Sequence, residues 1–288
     1  MIIEQAIERM RRQSPNTQRA ALSVSGMRRD DALASPPVEL KFPRVEYDLD
    51  TCERCHILVP ETDGNETATG ATAYRMLRTR VLHLMRSNRW STLALTSPGA
   101  GEGKSVTALN LALSLAREQN QNVFLIDLDM SNPSVCAYLG IAPPRGIVHF
   151  FAGQVEPQQV FFTIGIERLA LAGGIEATPY SSELLASGRL EMLLKYVQSV
   201  SPGALILLDL PPVLATDDFL VAAPRADATL LVIAEGLTRR DGVVRAMEVL
   251  SGFTLAGVML NRSRERVTDY YGRRYYYTKR STSAAHAR

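Results

Sequence analysis

The residues with the plainest chemical purpose lie in TSPGAGEGKS, residues 96–105. This stretch overlaps a short apolar run, TLALTS (92–97), and leads into SVTALNLALSLAREQ, which has a helical rhythm. Glycines between a strand and a helix let successive backbone N–H groups turn toward one point, where the helix N-terminus adds its positive end. Such a loop cradles phosphate. Gly99, Ala100, Gly101, Glu102, Gly103, Lys104, Ser105 and Val106 are therefore the candidate nucleotide-binding residues. Lys104 would reach the β- and γ-phosphates of ATP, and the Ser105 hydroxyl would ligate Mg²⁺. The usual pattern places glycine six residues before the lysine. Pro98 stands there instead, so the turn is expected to rest on Gly99 and Gly101, with Lys104 in a solvated loop.

Two other apolar runs end in carboxylates. VFLIDLDMSNP carries Asp127 and Asp129, and LILLDLPP carries Asp209 ahead of two prolines. Mg²⁺ is a hard cation that takes a few carboxylates together with phosphate oxygens and water. Ser105, Asp129 and Asp209 form the candidate metal set, leaving Asp127 to serve as a base beside Lys104 and Asp129. Asn261, at the end of the last apolar run, joins the nucleotide-binding set.

These side chains need a frame that brings distant strand ends together. The runs at 92–97, 122–129, 168–174, 204–210, 228–236 and 255–261 are nearly continuous in apolar residues, the pattern of strands buried on both faces. Helical segments such as SSELLASGRLEMLLKYVQ and TRRDGVVRAMEVLSG separate several of them. This alternation predicts an α/β fold, a doubly wound and mostly parallel sheet with helices on both faces. Ligands of such sheets bind at the carboxyl ends of the strands, where all the candidates lie. Ahead of the first strand, ATAYRMLRTRVLHLMRS places Tyr74, Leu77, Val81, Leu82 and Met85 on one stripe, with arginines opposite.

The remainder divides by composition. Residues 1–65 are expected to be a flexible segment with a short amphipathic helix at MIIEQAIERMRRQ, residues 66–265 the folded domain, and 266–288 a disordered tail. The chain has 288 residues, 46% of them hydrophobic, enough for a substantial core. No apolar run approaches the roughly 20 residues of a membrane helix, and the N-terminus lacks a signal-peptide pattern. A cytoplasmic protein is expected. CERCH (Cys52, Cys55, His56) matches a haem-attachment string and half of a zinc site, but neither an export signal nor a second ligand pair accompanies it. It is read as chance or a local role.

The formal net charge is only +2, yet from Arg262 to Arg288 eight Lys/Arg face two Asp/Glu. The same tail holds Tyr270, Tyr271, Tyr275, Tyr276 and Tyr277, half of the ten tyrosines in the chain. No apolar period accompanies them. Either the strip binds something anionic, or its hydroxyls are there to be modified.

SPGAGEGKS, FLIDLDMSNP and LILLDLPPVL resemble the Walker A, Walker A′ and Walker B motifs of the bacterial protein-tyrosine autokinases of exopolysaccharide biosynthesis, relatives of the ParA/MinD P-loop ATPases. The resemblance spans about residues 70–265 and includes YRMLRTRV, similar to the family's interface helix, and SSELLAS. The opening MIIEQAIERMRR resembles the exosortase-associated branch. It implies an ATP- and Mg²⁺-dependent kinase that phosphorylates its tail tyrosines, with Asp127 accepting the phenol proton. It also implies self-association through Arg75 and Arg78, in a ring in the family, and a partner in the cytoplasmic segment of a membrane polysaccharide co-polymerase. Recruitment to the inner face of the cytoplasmic membrane follows, and no nucleic acid is expected. Two positions depart from the family pattern: Ser131 replaces an arginine, and Thr72 a glutamate. Two other classes remain beside it, a ParA/MinD-like ATPase switch and a non-catalytic module whose basic aromatic tail binds nucleic acid or anionic lipid. The ATPase class carries a second lysine near the loop start, where this chain has Ser97-Pro98.

Overall fold

A computed structural model describes residues 37–60, 68–174 and 176–264. Six parallel strands make one sheet: β1 Thr92–Thr96, β2 Val123–Asp127, β3 Leu169–Ala172, β4 Leu205–Asp209, β5 Ala228–Ala234 and β6 Leu255–Asn261. Their spatial order is β3-β2-β4-β1-β5-β6. From β1 the chain runs outward past β4 to β2 and β3, and later returns past β1 to β5 and β6. The reversal falls at β1 and β4, the switch point where open α/β sheets bind ligands.

Successive strand residues point to opposite faces, and both faces are covered. Leu93, Leu95, Leu125 and Leu207 pack beneath α1 (Leu49–Arg54), α2 (Ala68–Asn88), α3 (Lys104–Leu115) and α4 (Val135–Leu139). Ala94, Phe124, Ile126, Ile206 and Leu208 face α5 (Ile147–Phe151), α6 (Ser181–Ala186), α7 (Arg189–Val200), α8 (Asp218–Ala222) and α9 (Arg240–Leu250). Double coverage explains why β1, β2 and β4 are buried at every position. The edge strand β6 is only partly covered, with Val258 and Leu260 44% and 51% exposed. Phe124 anchors the second face, its ring edge-on to Phe42 and Phe161 at 6.1 and 5.3 Å between centroids.

Phe42 belongs to the segment expected to be flexible, and here the sequence reading needs correction. Within 38–60, Cys52, Ile57 and Val59 are buried in the core. The Val45 N–H bonds the Thr163 carbonyl at 2.8 Å. Asn110 of α3 takes the Leu58 N–H at 2.7 Å and donates to the His56 carbonyl at 2.9 Å. The few apolar residues here are too irregularly spaced to show a period, yet together they cover the sheet beside α4. The folded body therefore begins well before residue 66. The CERCH stretch is spent on this packing: Cys52 is buried, and the Cys55 N–H closes α1 onto the Thr51 carbonyl. The expected tail and amphipathic N-terminus lie outside the described residues.

Among the described residues no helix is long and apolar enough to cross a membrane.

The uneven coverage of the sheet sets the cost of truncation. Phe124→Ala should lower unfolding free energy by about 3–5 kcal/mol, whereas Val258→Ala should stay within about 0.5 kcal/mol. Urea titrations of both variants beside the parent chain check this.

Candidate functional site

Parallel pairing decides which carboxylates meet. In the register of β2 with β4, Asp127 lies directly opposite Asp209, and in that of β1 with β4, Leu95 lies opposite Asp209. The loop after β1 therefore rises beside both acids. Asp127 and Asp209 are fully buried, and Asp129 is 3% exposed. Three carboxylates this close and this dry need a cation.

Lys104 is that cation. Its Nζ lies 2.7 Å from Asp129 Oδ2 and 3.5 Å from Asp209 Oδ1, and it donates to Ser105 Oγ at 3.0 Å. The residue is only 9% exposed, so the expected solvated loop lysine is in fact buried. Burial alone would depress its pKa, but the charges of Asp209 and Asp129 more than reverse that and hold the ammonium protonated.

The carboxylates differ in their partners. Burial, with the Asp209 charge adding to it, pushes Asp127 up to about 7. Its Oδ2 accepts the Ser134 and Val135 N–H groups at 3.0 Å each, and Oδ1 accepts the Asp129 N–H at 3.2 Å. Asp129 Oδ1 accepts the Ser131 hydroxyl at 3.1 Å and the Asn132 N–H at 3.2 Å. Ser131, the departure from the family pattern, thus orients Asp129. Asp209 is raised by burial while Lys104 pulls the other way. Neither of its buried oxygens accepts a well-formed hydrogen bond.

Beyond the Lys104 ammonium at 3.5 Å, the buried oxygens of Asp209 keep lone pairs that a metal ion could take. Asp209, Asp129 and the Ser105 hydroxyl offer only hard oxygen ligands, the set Mg²⁺ takes when phosphate and water complete its shell. Among the described residues no group of three or more His, Cys, Asp or Glu makes a cage by itself. That suits an ion held partly by a nucleotide.

The loop has supports that the sequence did not show. Gly101 and Gly103 hold left-handed φ angles of +76° and +89°, and Gly99 does not. The second conformational glycine is therefore Gly103 rather than the expected Gly99. A Cβ on Gly103 would also come within 2.1 Å of Asn261 Nδ2. Glu102, only 4% exposed, takes the Gly99 N–H on Oε2 at 3.1 Å and the Thr238 hydroxyl on Oε1 at 2.7 Å. From the end of β6, Asn261 Nδ2 donates to the Glu102 carbonyl at 2.9 Å and Arg262 to the Gly101 carbonyl at 2.8 Å. Asn261 was expected at the site; Thr238 and Arg262 were missed, being reached only through the fold. Ala100 is exposed, while Val106 packs against the core beneath the loop.

Residues 93–274, which include the loop and all three strand-end acids, match the CobQ/CobB/MinD/ParA nucleotide binding domain. The chain belongs to that family. A relative, tyrosine-protein kinase YwqD of Bacillus subtilis, is 28% identical over 208 residues, covering 72% of this chain and 86% of that protein. Tyrosine-protein kinase Wzc of Salmonella typhimurium is 29% identical over 215 residues, which are 74% of this chain and 30% of that larger protein. Among solved structures, the kinase domain of Escherichia coli tyrosine kinase ETK superposes with a TM-score of 0.66 at 26% identity. It covers 73% of this chain and 83% of that one. Membership of this family makes the chain a nucleotide-binding domain.

The interface residues expected on α2 fare differently from one another. Arg75 is exposed and bonds Thr72 Oγ1 of its own helix at 2.7 Å. Arg78 does not face outward. It donates to the Ser114 carbonyl at 3.2 Å and pairs with Glu118 at 3.2 Å, tying α2 to the end of α3.

Buried charge makes Lys104 structural as well as chemical. Lys104→Met should destabilise the fold by about 3–5 kcal/mol, because it leaves buried carboxylates uncompensated. Adding Asp209→Asn to that variant should recover part of the loss in denaturant titrations.

Proposed function

We propose that this chain is an ATP-dependent protein-tyrosine kinase that phosphorylates its own C-terminal tyrosines and regulates exopolysaccharide synthesis or export. The observation that carries this reading is the sealed cluster of Lys104 and Ser105 with the strand-end acids Asp129 and Asp209, in a chain similar to named tyrosine kinases. Ser97-Pro98 at the loop start, where the ATPase-switch class carries another lysine, supports a kinase over such a switch.

In this reading the loop N–H groups and Lys104 hold the phosphates of ATP. Mg²⁺, bound by Ser105, Asp129 and Asp209, would neutralise phosphate charge and fix the γ-phosphate for in-line attack. Asp127 takes the phenol proton, since three backbone donors fix its carboxylate beside Asp209. A phenol, with a pKa of about 10, is a poor nucleophile until such a base and placement assist it. The acceptors are Tyr270, Tyr271, Tyr275, Tyr276 and Tyr277, delivered to a neighbouring copy. Each phosphate adds about −1.5 to −2 charge, so a few would cancel the tail's positive excess. Before that, the arginines of the tail favour an acidic partner or an anionic lipid surface. The cytoplasmic segment of a membrane polysaccharide co-polymerase is the proposed activator, which places the kinase at the inner face of the membrane.

Incubation with radiolabelled ATP and Mg²⁺ tests the assignment. Removing residues 268–288 should abolish most phosphotyrosine and spare ATP binding, and Asp127→Asn should suppress transfer with ATP binding nearly intact. An Asp127→Asn chain mixed with active tail-less chains should become labelled, because the donor and acceptor are separate copies. Full labelling of isolated Asp127→Asn chains would place the base elsewhere.

Self-association through α2 is read by light scattering. Arg75→Glu should reduce particle mass without shifting the melting temperature, while Arg78→Glu should lower both, because it also breaks the tie to α3. An unchanged mass for both variants removes the helix as an interface.

A further inference from the structure

Ten tyrosines divide between the tail and the rest of the chain, and those outside the tail are Tyr47, Tyr74, Tyr138, Tyr180 and Tyr196. Four of these are engaged in packing. Tyr47 and Tyr138 lie against the core on the α3 side of the sheet. Tyr196 stacks on Phe161 at 6.0 Å between centroids, and burial raises its phenol above the ordinary range. Tyr74 is held up in the same way by burial. Tyr180 differs. Its side chain is 66% exposed, and it packs in neither cluster of the core.

Its position is specific as well. The loop after β3 carries Tyr180 at the carboxyl edge of the sheet, and β3 pairs with β2, the strand that ends in Asp127. The Thr178 N–H bonds the carbonyl of Met130, the residue after Asp129, at 2.9 Å. On the other flank Ser181 Oγ donates to Asp218 Oδ2 at 2.6 Å and Ser182 Oγ to Asp217 Oδ1 at 2.6 Å, which fastens the start of α6 to α8. Tyr180 is thus a phenol displayed to solvent on a loop pinned two residues before it and immediately after it. Among the described residues the ring joins no aromatic pair and neither core cluster.

We propose that Tyr180 is a phosphorylation site of this kinase outside the tail, modified by a second copy of the chain. This rests on the tyrosine-kinase reading above and extends it to a fixed acceptor. The phenol oxygen of one copy attacks the γ-phosphorus of ATP held by the other. The bond from that phosphorus to the β–γ bridging oxygen breaks, ADP leaves with the electron pair, and the phenolic proton passes to a carboxylate of the donor copy. Because the loop is anchored on both sides of Tyr180, the phenol is offered outward to a neighbour. Moving it away from this position would cost the Thr178 and Ser181 bonds. Labelling of Tyr180 therefore needs two copies in contact.

The test uses the full chain, first stripped of phosphate by a phosphatase that is then removed, and incubated with ATP and Mg²⁺ at two protein concentrations. Trypsin cuts after Arg168 and Arg189, so one peptide, residues 169–189, contains Tyr180 as its single tyrosine. Mass spectrometry should find phosphate on Tyr180 in that peptide, with occupancy rising with protein concentration. Tyr180→Phe should leave tail labelling in place and lose the phosphate from the 169–189 peptide. Phosphorylated tail peptides beside an unmodified 169–189 peptide, or phosphate only on its serines or threonine, would overturn this proposal and leave the kinase reading standing. Absence of phosphotyrosine anywhere in the full chain would overturn both.

Discussion

Three carboxylates and one ammonium share the carboxyl edge of this sheet almost out of reach of water, and most other features can be understood from that constraint. Parallel register puts Asp127 against Asp209, and the short step to Asp129 brings in a third charge. In so dry a place carboxylates repel and take up protons unless a cation joins them. Lys104 supplies it, and can do so only if the loop carrying it is shaped to bring its side chain down onto the acids. The left-handed turns at Gly101 and Gly103, the Glu102 clamp and the contact from Asn261 provide that shape. In the proposed function the same residues would hold phosphate and Mg²⁺, with Lys104 serving the phosphate oxygens and Asp129 and Asp209 the cation.

Much of this was legible because it is local or periodic. A strand, a glycine-rich turn and a Lys-Ser pair at a helix start are neighbours in the chain, and buried parallel strands read as apolar runs. Asp127, Asp129 and Asp209 could be named because strand ends are visible as the places where those runs stop. The supports of the loop were not legible, since they join residues far apart in the chain: Thr238 to Glu102 and Arg262 to Gly101. Composition also misplaced residues 38–60, where a handful of apolar side chains without rhythm proved enough to cover one end of the sheet.

Arg78 shows how an amphipathic helix can mislead. A helical wheel assigns its arginines to the face away from the core, yet a long side chain at the border of that face can fold back on a neighbouring helix terminus. The carbonyl of Ser114 and the carboxylate of Glu118 lie where α3 ends, and cations are favoured at such ends. The residue that looked available for a partner is the one that holds α2 in place, and Arg75 alone of the pair remains free to meet another surface.

The stitching of β6 to the phosphate loop has a mechanical meaning. Arg262, in a left-handed conformation, reaches back to the Gly101 carbonyl, and the Arg264 N–H is held by Glu235 at 2.8 Å. The end of the edge strand and the turn at Gly101 are consequently one joint, and a displacement of either is felt by the other within a few bond lengths.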